Sequence, residues 1–102
     1  MSVLTVDEGI SDRALDRLDF KSHKKSFAKH VNGYPYKLMF YINKNSRNKL
    51  YVRIFEWKST WEQCESAKVY ISDPLDVQMV VLEYEKKLKK MNNTKYYEYF
   101  RL

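Results

Sequence analysis

Two alternating runs joined by a polar break constrain this chain more than any other feature. Across 34–42, Tyr36, Leu38, Phe40 and Ile42 fall on one side, and Lys37, Met39 and Tyr41 on the other. A period of two is the mark of a strand with one face buried. The polar stretch from Asn43 to Lys49 reads as a turn. After it, Leu50, Val52 and Ile54 alternate with Tyr51, Arg53, Phe55 and Trp57. The pair predicts an antiparallel hairpin with an aliphatic face and an aromatic, cationic face.

Helical signals flank the hairpin. Ser11 is a suitable N-cap for a helix that places Ala14, Leu15 and Leu18 together. Continuing that helix would bring Phe20, Phe27 and Val31 nearly opposite Leu15 and Leu18, so a break is expected between Asp19 and Ser22. A second helical piece is expected from Ser22 to Asn32-Gly33, with Lys21, Lys25 and Lys29 forming a basic stripe at i, i+4 and i+8. Asp73-Pro74 starts another helix, with the cap at Asp73 and proline at its first position. Val77, Val80, Val81, Tyr84, Leu88 and Met91 form its inward stripe, and Asn92-Asn93 is the expected end. Leu75, Met79 and Leu82 lie on the opposite side and require cover from 59–72 or from a partner chain.

The rest carries weaker signals. Ser2 to Val6 suits a short strand and Lys95 to Leu102 a final aromatic strand, while 59–72 mixes a capping box at Ser59 and Glu62 with the strand-like Val69 to Ile71. Lys29, Val31, Asn32, Tyr36 and Phe40 are echoed by Lys89, Met91, Asn92, Tyr96 and Phe100. Capping chemistry explains the repeated Asn, but a pseudo-repeat fits too. The expectation is a single α+β domain over 1–102, an antiparallel sheet with two main helices. A split βαβ (ferredoxin-like) arrangement of two similar halves is favoured within that class.

Composition narrows the function. A chain of 102 residues is large enough for one core without metals or disulfides, and the lone Cys64 cannot form an internal bridge. No apolar run reaches the roughly 18 residues of a membrane span. The five residues of Ser2 to Val6 are too few for a secretory leader and are followed by Asp7 and Glu8, so a cytoplasmic, intracellular setting is expected. Between Phe20 and Lys58 lie ten Lys and Arg against one acid, Glu56. Segregated positive charge concentrates anionic partners.

Enzymatic readings find little support. Glu56-Trp57-Lys58 has the E-x-K form of metal-dependent nucleases, but no acid lies between Asp19 and Glu56 to complete a cation site. His23 and His30 have no Cys or acid near them in sequence, so no metal centre is expected. Cys64 stands beside acids rather than cations and reads as inert. Only two glycines occur, neither in a phosphate-cradling loop. No catalytic residue and no cofactor are expected.

The favoured reading is a small, basic, non-enzymatic module that binds nucleic acid through the hairpin. Tyr51, Phe55 and Trp57 would carry the bases, with Arg53 beside them to neutralise phosphate. Lys21, Lys25 and Lys29, with Lys44, Arg47 and Lys49 of the turn, would carry the phosphates. Lys49 to Trp57 lacks the central glycine of RNA-recognition modules, so no resemblance to them is drawn. The alternative is a protein-interaction module, of the kind small viral or mobile-element proteins use to seize a host factor or self-associate. It would engage an acidic protein surface or a second copy through Leu75, Met79 and Leu82.

Overall fold

The structure, a computed structural model, describes the backbone of residues 9–100 and the side chains of residues 9–95. It opens with helix α1 (Asp12–Arg17) and closes with helix α2 (Pro74–Phe100). Between them run β1 (Lys21–Ser22), β2 (Ser26–Val31), β3 (Tyr36–Asn43), β4 (Ser46–Trp57) and β5 (Trp61–Tyr70). Each strand pairs antiparallel with the next, giving one meander in the order β1-β2-β3-β4-β5. The chain is a single α+β domain with two helices and a five-stranded antiparallel sheet.

The hairpin forms as its alternation predicts. Leu38 pairs with Ile54 and Phe40 with Val52, which puts the aliphatic residues of both strands on one face. Leu38, Phe40, Ile42, Leu50, Val52 and Ile54 are all buried there. Ile10, Leu15 and Phe20 from the α1 region and Val77, Val81 and Leu88 from α2 complete the same core. Both helices therefore pack on one side of the sheet. Phe40, at its centre, meets Tyr84 of α2 edge to face, with ring centroids 6.3 Å apart.

The caps also form as read. The Ser11 hydroxyl accepts from the Ala14 N–H, and the Asp73 carboxylate accepts from the Asp76 N–H at 3.0 Å. The chain breaks after α1 at Asp19, which takes a φ of 68°. Gly9 lies at φ 71°, where a Cβ would fall 2.4 Å from the Arg47 carbonyl oxygen, so only glycine fits that crossing.

Two expected elements are overturned, and the mixed stretch 59–72 resolves as strand β5. The stretch 22–32 is not a helix; β2 occupies most of it. Phe27 and Val31 are four apart, an even spacing that shares a face in a strand as well as in a helix, and the sheet supplies both neighbours. The helix does not end at Asn92-Asn93, and Lys95 to Phe100 is helical rather than a strand. The Asn92 side chain, instead of capping, bonds both main-chain groups of Tyr36, accepting from its N–H at 2.9 Å and donating to its carbonyl at 3.2 Å. Its local tendency to stop a helix is spent on a tertiary contact. The capping box at Ser59 and Glu62 starts no helix, because Ser59 at φ 85° turns β4 into β5. Without a helix at 22–32 or a strand at 95–100, the described residues form a meander and not a split βαβ unit. The expected strand at Ser2 to Val6 lies outside the described residues, as do Arg101 and Leu102.

Candidate nucleic-acid interface

The face of the sheet away from the helices is assembled row by row by the strand register. Lys21, Ala28, Tyr41, Tyr51 and Lys68 form one row across all five strands. His30, Met39, Arg53 and Ser66 form the next, followed by Lys37, Phe55 and Gln63, then Trp57 and Trp61. Lys49 and Tyr70 stand beyond the first row. None of these positions is a carboxylate. The acids of β4 and β5, Glu56, Glu62 and Glu65, fall on the helix side because a bulge at Cys64 keeps them in register with Tyr36 and Ile54. Among the described residues no helix packs on this open face.

Its side chains are ordered into ring and cation units. Tyr41 and Tyr51 stack with centroids 4.8 Å apart and an interplanar angle of 13°. The Arg53 guanidinium lies 4.8 Å from the Tyr41 centroid and donates to the Tyr41 hydroxyl at 2.9 Å. Lys37 Nζ sits 4.4 Å from the Trp61 centroid and 5.9 Å from that of Phe55. Trp57 crosses Trp61 at 5.4 Å and is 40 % exposed. Lys68 Nζ lies 5.6 Å from the ring of Tyr70, which is 66 % exposed. A cation held over a ring gains roughly 0.5–1 kcal/mol at an exposed site, enough to bias each side chain while leaving it free to exchange partners.

The expected site residues do not all arrive at this face. Lys49, Tyr51, Arg53, Phe55 and Trp57 do, and so does Lys21, through β1. The stripe of Lys21, Lys25 and Lys29 does not form, because it needed a helix. Lys25 lies in the turn between β1 and β2. Lys29 points to the helix side, with only 18 % of its side chain exposed and its ammonium 3.9 Å from Asp19. Lys44 donates to the Ser22 hydroxyl at 2.8 Å and, with Arg47, covers the ring of Phe27. Arg47 also pairs with Asp12 and donates to the Ile10 and Lys44 carbonyls. The expected turn from Asn43 to Lys49 shrinks to Lys44-Asn45, because β4 already starts at Ser46. Arg47 is therefore a strand residue that ties the start of β4 to α1, with little left for a phosphate.

Lys37, Tyr41, Trp61, Lys68 and Tyr70 join the surface without having been singled out as site residues. Lys37 and Tyr41 lie on the same alternation as Tyr51 and Arg53, and they stand on the aromatic, cationic face that the hairpin's alternation predicts. Trp61 is signalled by its symmetry with Trp57 about the Ser59 turn. Lys68 and Tyr70 are hidden by the composition of β5, an edge strand whose polar residues follow no clear period.

The groups considered for catalysis are dispersed. Glu56 and Lys58 lie 3.9 Å apart on a strand end, and among the described residues no three His, Cys, Asp or Glu side chains gather as a metal site. Cys64 is exposed, and its thiol donates to the Ile54 carbonyl at 3.4 Å. Desolvation, followed by the nearby charges of Glu65 and Glu56, pushes its pKa up, so less of it is thiolate at neutral pH than of an ordinary cysteine. Lys87 of α2 pairs with Glu65 at 3.0 Å, and that hydrogen bond raises its pKa. Leu75, Met79 and Leu82 are 61 %, 60 % and 51 % exposed on the outward side of α2, covered neither by β5 nor by any other described element. No described helix is long and apolar enough to cross a membrane. No family model, no curated protein and no solved structure matches this chain.

Proposed function

We propose that the protein is a non-enzymatic nucleic-acid-binding module of the cell interior and that the open face of its sheet is the contact surface. The observation that carries this reading is the sorting of charge and rings by face. Lys21, Lys37, Lys49, Arg53 and Lys68 share a surface with six aromatic side chains and no carboxylate. Lys and Arg neutralise phosphates, and exposed rings stack on bases. Neither role needs a catalytic group or a metal.

The test is binding of the purified, nuclease-treated protein to labelled DNA and RNA at about 50 and 200 mM salt, across which phosphate contacts weaken steeply. Submicromolar binding that falls with salt and exceeds binding to heparin is the expected result. Absence of binding, or equal affinity for every polyanion, would remove the reading.

A second reading rests on Leu75, Met79 and Leu82, three large apolar side chains aligned on one helix face. Such a patch suits a protein partner or a second copy. In the same experiment, the L75D/L82D variant is expected to keep its nucleic-acid affinity. Concurrent loss of affinity and of self-association would tie binding to a dimer built on α2.

A further inference from the structure

We propose that the open face takes a single strand of nucleic acid rather than a duplex, with a base seated at the Trp57–Trp61 end. This rests on the reading above and gives that site its substrate class. The face repeats a unit of one cation against one ring: Lys68 by Tyr70, Arg53 by Tyr41, Lys37 by Trp61. An unpaired strand repeats a matching unit, one phosphate and one accessible base per nucleotide. A duplex presents phosphates outward and hides its base faces in the stack, so rings on the sheet surface would meet only sugar and phosphate.

The dimensions agree. Lys49 and Trp57 are the ends of an eight-residue interval on β4, about 26 Å at 3.3 Å per residue, which accommodates a few extended nucleotides. At the far end, Trp57 is the most open ring of its cluster, and Lys37 lies against the face of Trp61. The lysine stem is flexible, and its ammonium can leave the ring for a phosphate, uncovering the indole as a strand arrives. Tyr41 and Tyr51, already stacked and bridged to Arg53, form the rigid middle of the path.

The protein reports on this site directly, since its two tryptophans are Trp57 and Trp61. The experiment follows tryptophan emission of the full chain during titration with oligo-uridine, oligo-thymidine, a blunt duplex of equal length, and heparin. Quenching by either single strand, with affinity about tenfold or more above that of the duplex, is expected from one stacked base. Trp57→Leu should reduce single-strand affinity by a similar factor while leaving the salt slope unchanged, and Trp61→Leu provides the same comparison at the partner ring. Equal binding of duplex and single strand with unquenched emission would overturn this inference and leave the nucleic-acid reading standing. Absence of binding to every oligonucleotide would overturn both.

Discussion

Replacing Lys37, Arg53 and Lys68 together by glutamine is expected to lower the slope of log affinity against log salt by about 2, because each lost phosphate contact to a single strand removes about 0.7. The three side chains lie on three different rows of the open face, and none is fully buried, so the fold should survive. Arg53 contributes twice, since it also fixes Tyr41 by a hydrogen bond and by stacking. The control is the same change of charge on the other side of the molecule, in a variant carrying Lys86→Gln, Lys89→Gln and Lys90→Gln on α2. Those lysines are exposed and belong to no row of the face. If both triple variants lose the same slope, binding follows net charge and the face has no special part in it.

The second large effect concerns the core that backs the face. Phe40→Ala should destabilise the protein by about 3–5 kcal/mol, the usual cost of removing a fully buried phenylalanine. A small domain has a total stability of about 5–15 kcal/mol, so the variant would be near its unfolding limit. Phe40 has no exposed surface and lies between Val52 of β4 and Tyr84 of α2, so no neighbour can slide in to close the cavity without moving the helix. The measurement is a urea unfolding midpoint, compared with that of the wild type at unchanged slope. A loss below about 1 kcal/mol would mean that α2 does not pack on β3 as described.

What could be read from sequence follows from how many interactions each signal needs. The hairpin and the start of α2 are specified locally, by strict alternation from Tyr36 to Ile42 and by Asp73-Pro74, and both form at those positions. The stretch from Ser22 to Val31 was ambiguous because an i,i+4 pair such as Phe27 and Val31 satisfies both periods. Only its pairing with β3 decides the matter. Asn92 misled for a different reason: its amide serves the Tyr36 main chain, a contact separated by 56 residues and invisible to any local rule. β5 was obscured by its position. An edge strand exposed on both sides need not alternate, and only Trp61, Ala67 and Val69 are half-buried.

The candidate site was half legible for the same reasons. The hairpin residues Tyr51, Arg53, Phe55 and Trp57 share a face because β4 is regular across them. The basic stripe failed with the helix that was to carry it. Arg47 looked like a phosphate ligand in sequence, but its guanidinium ties Asp12 and the Ile10 carbonyl to the start of β4. Positive charge in a sequence thus locates a partner only after the fold has divided it between faces.

The most direct test of whether the open face makes the contact is ultraviolet cross-linking to a single-stranded oligonucleotide carrying 4-thiouridine, followed by mapping of the modified peptides. Adducts are expected on the segments containing Lys37 to Tyr41, Tyr51 to Trp57 and Trp61, with α2 unmodified. Adducts confined to α2 or to the segment from Lys44 to Arg47 would place the contact elsewhere.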